Sequence, residues 1–175
     1  MDDAAVVAVQ IGRPPRSEVV VSARCHLGLP VVTEVPPILD DGTPFPTTYW
    51  LTCPLATLRI ARIESNGGVR DADLSIAEDP ELAAAFDAAM TRYRDARDAR
   101  IPEGHDGPRP TGGVAGSHGG VKCLHAHYAD TAAGNENPIG EDVAARIEPL
   151  GCTAPCVVPG ETTAAVLNDA WTEPG

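Results

Sequence analysis

The stretch GGVKCLHAHYAD, residues 119–130, places Cys123, His125 and His127 within five positions. Thiolate and imidazole are the donors that zinc, a borderline-soft ion, favours in a tetrahedron. They are also the two halves of a thiol nucleophile and its general base. Read as a helix closed by Gly134, the stretch sets Cys123 and His127 four apart on one face, where two side chains reach one ion. His125 is then turned by about 200° from Cys123 and points elsewhere. Leu124, Tyr128 and Thr131 lie beside the pair, so this face is expected to be half-buried.

Two further thiols stand where strands end. Cys25 closes a β-branched run just before a turn containing Gly28, and Cys53 precedes a helix opened by Pro54. If those ends meet, Cys25, Cys53, Cys123 and His127 form a Cys3His set for zinc, with His125 as an alternative fourth ligand and His26 as a spare. A closed site of four ligands is architectural, and losing one ligand should unfold much of the domain. No C-x-x-C pair sharpens the assignment.

The same residues support a second reading. Cys53 lies at a helix N-terminus, where the dipole favours thiolate, and His125 or His127 could act as base; no orienting acid can be assigned, though Asp130 is available. That arrangement, or Cys123 with the same histidines, or an open metal site on these residues, would make a cysteine-dependent or metal-dependent hydrolase or transferase. Cys152 and Cys156 in GCTAPC read as incidental thiols before a second metal pair or a reversible disulfide. The glycine-rich NGG, TGGVAG and SHGG match no phosphate-binding pattern and read as loops. Arg13 and Arg16 in GRPPR read as an exposed extended arm.

The elements that must position these groups follow from periodicity. AAVVAVQIG reads as a short helix ended by Gly12, SEVVVSARC and PVVTEV as strands, and TTYWLTC as a third strand with Tyr49, Leu51 and Cys53 on one side. CPLATLRIARIESNGG reads as a helix closed at Asn66-Gly67. In EDPELAAAFDAAMTRYRDAR, Asp79 caps, and Leu82, Phe86, Ala89 and Tyr93 form an apolar stripe. Arg92, Arg94, Arg97 and Arg100 read as its solvated end. Short helices are expected after Gly120 and over EDVAARI. The fold class is α+β, a small antiparallel sheet of about three strands packed by four to five helices. One domain is expected over residues 1–150, with a mobile Gly/Pro-rich loop at 101–120 and a disordered tail over 151–175.

Composition narrows the function. With 13 basic and 25 acidic residues the 175-residue chain carries a formal charge of −12, which repels nucleic-acid phosphates and anionic lipid. No apolar run nears the roughly 20 residues of a membrane span. The start, MDDAAVVAVQIG, lacks the basic flank of a secretory signal, so the chain reads as cytoplasmic. There, five cysteines point to metal, chemistry or packing before disulfides. Aromatics are only 4% of residues, so the core is modest and gains from a metal or a protein partner.

At GRPPR, DGTPFPTTYWLTCP, VKCLHAHYA and NPIG, in that order over about residues 5–148, the chain resembles a bacterial family catalogued as domain of unknown function 501. Cys25, Cys53, Cys123 and His125 fall inside the family's motif blocks. RCHLGLP lacks the family's proline after the cysteine, and Asp130 stands where another histidine is common, which removes a donor from any multi-histidine centre. Genes of this family often neighbour those for a septum-formation initiator and an exopolyphosphatase. The resemblance thus implies an uncharacterised interaction role in cell-envelope or division physiology.

Overall fold

The structure is a computed structural model that describes residues 1–161 and 164–174. Helix α1 (Asp3–Ile11) starts where the Asp2 carboxylate accepts the Ala5 amide and stops at Gly12, whose φ of 71° is left-handed. It lays Val6 and Val7 inward. The three β-branched runs form an antiparallel sheet, β1 (Val20–Arg24), β2 (Pro30–Glu34) and β3 (Tyr49–Leu51), in the order β1-β2-β3. β2 is central and buried over Pro30–Thr33, so its near-continuous apolar run suits a strand covered on both faces. β1 carries an irregularity between Val21 and Ala23.

Cys53 and Pro54 turn the chain from β3 into α2 (Pro54–Ser65), with proline in the first turn, where its missing N–H costs nothing. The helix stops at Asn66-Gly67 as expected, with Gly67 at φ 92°. A helix not expected from sequence then begins at once, α3 (Gly68–Glu78). Gly68 is its buried residue, and Val69, Ala72 and Ile76 form a half-buried stripe against the main core. A Cβ at Gly68 would lie 2.6 Å from the Ile63 side chain, so the close α2–α3 corner requires glycine.

Helix α4 (Pro80–Asp98) is capped by Asp79, which accepts the Glu81 and Leu82 amides at 2.9 and 3.2 Å. Phe86, Ala89 and Tyr93 are buried along it and Leu82 is half-buried. The expectation of a solvated arginine cluster fails at two of its four members. Arg97 is 1% exposed and donates to the carbonyls of Pro110, Thr111 and Gly112. Arg92 is paired with the fully buried Asp130. In both cases a guanidinium fork satisfies groups that the helix pattern alone does not reveal.

A 3-10 turn at Val114–Gly116 leads to α5 (Leu124–Ala132) and α6 (Pro138–Ile147), which pack against each other. Gly140 makes this possible, because a Cβ there would fall 2.2 Å from both the His127 carbonyl oxygen and Thr131 Oγ1. The main core joins β2 to α2, α4, α5 and α6 through Val32, Leu55, Ile60, Phe86, Tyr128 and Val143. The segment after Leu150, expected to be a loose tail, folds back on the domain. Val157 in β4 (Val157–Val158) is fully buried with Val6 and Leu29, and β4 pairs with β5 (Val166–Leu167). Trp171 packs on the main core.

Candidate metal centre

The quoted cysteine–histidine segment does not start as a helix. Lys122 is outside α5 and Cys123 is its extended N-cap, at φ −159° and ψ 116°. The Glu64 carboxylate, on the last turn of α2, accepts the Leu124 amide at 2.6 Å, so the helix begins one residue after the thiol. The expected four-residue spacing of Cys123 and His127 on one face therefore does not apply. The near neighbour of Cys123 is His125 instead, with Sγ and Nδ1 3.8 Å apart.

Glu64 completes a three-donor group. Its Oε1 is 3.2 Å from His125 Nδ1. Ligand atoms of Glu64, Cys123 and His125 all lie within 4.8 Å of one another, and all three residues are half-buried. The other ring nitrogen, Nε2, lies 3.2 Å from the Thr57 carbonyl oxygen. As the donor to that carbonyl, Nε2 carries a proton, so that in the neutral ring the Nδ1 lone pair faces the sulfur and the carboxylate, the usual way a ligating histidine is oriented. Thr57 and Glu64 are seven residues apart on α2, two turns along one face, so a single helix supplies both contacts to the ring. Burial opposes charge on His125, but Cys123 and Glu64 outweigh it and push its pKa up to about 9. An anionic pocket of that kind attracts a proton or a metal cation.

Cys123 and His125 also line a cleft of about 440 Å3 with Thr47, Tyr49, Trp50 and Thr57. A carboxylate oxygen, a cysteine sulfur and an imidazole nitrogen, with open space beside two of them, could hold a metal ion by three protein ligands with one exchangeable position.

The remaining expected ligands lie elsewhere. His127 is fully buried, with its ring stacked on Phe86 and Nδ1 held 3.0 Å from Asn137 Oδ1. Burial lowers its pKa. Asp130 reaches His127 through Asn137. It accepts from Asn137 Nδ2 at 3.0 Å and pairs with Arg92. Cys25 and Cys53 line a small cavity with Cys152 and Cys156, while His26 Nε2 contacts the Cys152 carbonyl. Among the described residues, no three of Cys25, Cys53, Cys123 and His127 bring ligand atoms within 4.8 Å of one another. Cys53 is 6% exposed and burial pushes its thiol up to about 11, the opposite of an activated nucleophile. The helix dipole alone does not offset that desolvation. Glu64 was not singled out from the sequence, since an acid near the end of an amphipathic helix is ordinary there.

Residues 21–145 match the family model described as Protein of unknown function (DUF501). That span is well over half of the chain, and the protein belongs to this family. Among curated proteins and solved structures nothing matches the chain. The α+β architecture and the Glu64–Cys123–His125 group are therefore what the structure adds. No helix among the described residues is long and apolar enough to cross a membrane.

Proposed function

We propose that the protein is a zinc-binding interaction module whose ion is held by Glu64, Cys123 and His125 at the wall of the 440 Å3 cleft. The observation that carries this reading is the His125 ring, tied by Nε2 to a backbone carbonyl with Nδ1 directed at a sulfur and a carboxylate. The ion would fasten the end of α2 to the start of α5, and its fourth position would take water or an oxygen donor from a partner seated in the cleft. A cytoplasmic setting suits five free thiols. The neighbourhood of this family's genes favours a protein partner in envelope or division physiology.

A second reading is favoured by the 3.8 Å approach of Cys123 Sγ to His125 Nδ1. Without a metal, the pair is a thiol and a base at the N-terminus of α5, suited to acyl or group transfer. Alkylation of Cys123, followed residue by residue by mass spectrometry, separates the two. The metal reading expects slow alkylation that accelerates at least tenfold on chelation. Rapid alkylation near neutral pH, indifferent to chelator, supports the thiol enzyme instead.

A further inference from the structure

Four of the five cysteines surround one hole. Cys25 comes from the turn that follows β1, and Cys53 from the N-cap of α2. Cys152 and Cys156 come from the segment that folds back after α6. The cavity that they line has a volume of about 10 Å3, with Leu27, Leu29, Leu55 and Leu150 in its walls. That is room for about one water-sized sphere. It is a hole of single-ion size with four cysteines in its lining, the other walls being leucine, proline, Ala154 and Gln10.

The sulfurs are mutual electrostatic neighbours. Cys152 and Cys156 both disfavour ionisation of Cys53, and Cys25 and Cys152 do the same to Cys156. Donors stand ready for the charged form. The amides of Leu55 and Ala56, at the start of α2, face the Cys53 thiol and favour its charged form. Gln10 Nε2 lies 3.8 Å from Cys156 Sγ. Hydrogen bonds of this kind orient ligating sulfur and disperse its charge.

We propose that Cys25, Cys53, Cys152 and Cys156 bind one zinc ion as a tetrathiolate and so clasp the C-terminal segment onto the sheet and α2. The site is separate from Glu64, Cys123 and His125 and does not depend on them. Binding exchanges four thiol protons for one Zn2+, with no oxidation. Without the ion the sulfurs stand apart, since no three of them lie within 4.8 Å of one another among the described residues. A tetrahedron with Zn–S bonds of about 2.3 Å has edges of about 3.8 Å, so the ion draws them inward. Residues 153–155 lie outside any helix or strand and can accommodate that closure. A disulfide would use two of the thiols and leave the other two facing an empty hole.

The test uses the untagged full chain, purified under reducing conditions with zinc present. Elemental analysis should show Cys152→Ser/Cys156→Ser losing about one equivalent of zinc relative to wild type, and Cys25→Ser losing the same one. Glu64→Gln should keep that equivalent. If only the Glu64 reading fails, the chain holds a single zinc that is lost in the double variant and kept in Glu64→Gln. Limited proteolysis of the unmutated chain gives an independent readout, with cleavage after Leu150 accelerating at least tenfold on chelation. Zinc content unchanged in the double variant, or cleavage after Leu150 that ignores chelator, overturns the proposal.

Discussion

Glu64 Oε1 lies 3.2 Å from His125 Nδ1 and 2.6 Å from the Leu124 amide nitrogen, so one carboxylate both caps α5 and faces the imidazole. The two tasks respond differently to substitution. In Glu64→Gln an amide oxygen can still accept from Leu124, whereas the anionic donor for a metal is gone. Glu64→Gln should therefore release metal, and in the metal-free protein it should cost no more than the ion pair with protonated His125, about 1 kcal/mol. Glu64→Ala should lose the cap as well, a further cost of about 1 kcal/mol. Chemical denaturation of both variants in the presence of chelator measures that difference.

The seating of α6 on α5 depends on glycine at 140. A methyl group there meets the His127 carbonyl and Thr131 Oγ1 at 2.2 Å, and neither can withdraw without disturbing α5. Gly140→Ala should destabilise by about 2–3 kcal/mol. Gly119→Ala serves as the control, because nothing lies within 4 Å of a Cβ at that position and its φ is not positive. It should stay within about 0.5 kcal/mol of wild type. Equal midpoints for the two variants in urea would contradict this account of the packing.

Arg97 holds residues 110–112 by three backbone carbonyls, the shortest contact being Nη1 to Gly112 at 2.8 Å. Lysine keeps the charge but lacks the planar fork. Arg97→Lys should cost about 1.5–3 kcal/mol, the range for buried hydrogen bonds to a charged group. Hydrogen exchange should show the amides around 110–117 losing protection first, before those of α4.

At alkaline pH the buried phenols limit stability. Burial and the Glu148 carboxylate raise the pKa of Tyr128, whose hydroxyl donates to Glu148 Oε1 at 2.8 Å. A group with its folded pKa above the unfolded value of about 10 contributes fully below that pH and loses its contribution as pH rises further. Stability should therefore fall above pH about 10. Tyr128→Phe should fall less steeply there, by up to one proton's worth of slope. Denaturation midpoints taken between pH 8 and 11 give the comparison.

Much of this fold was legible in residue order. The cap at Asp79, the stops at Gly12 and Gly67, and the β-branched runs act locally, within a few residues of where they are read. Helix α3 was not singled out, because its Val69, Ala72 and Ile76 stripe is only half-buried and no side chain caps its start. Nor were the two-residue strands β4 and β5, which are too short for alternation to register. At the candidate centre, the chemistry of Cys123 and His125 was visible but their geometry was not. A carboxylate from α2, distant in sequence, decides where α5 begins, and that moves Cys123 off the helix and away from His127. Pairings of that kind, like Arg97 with residues 110–112, arise only once the chain is packed.

Zinc content per chain, measured by elemental analysis on untagged wild type and His125→Ala purified side by side, tests the central claim most directly. The account predicts that His125→Ala carries about one equivalent less than wild type while keeping its helical content. Equal zinc in the two proteins, or wild type without zinc after purification in its presence, would contradict it.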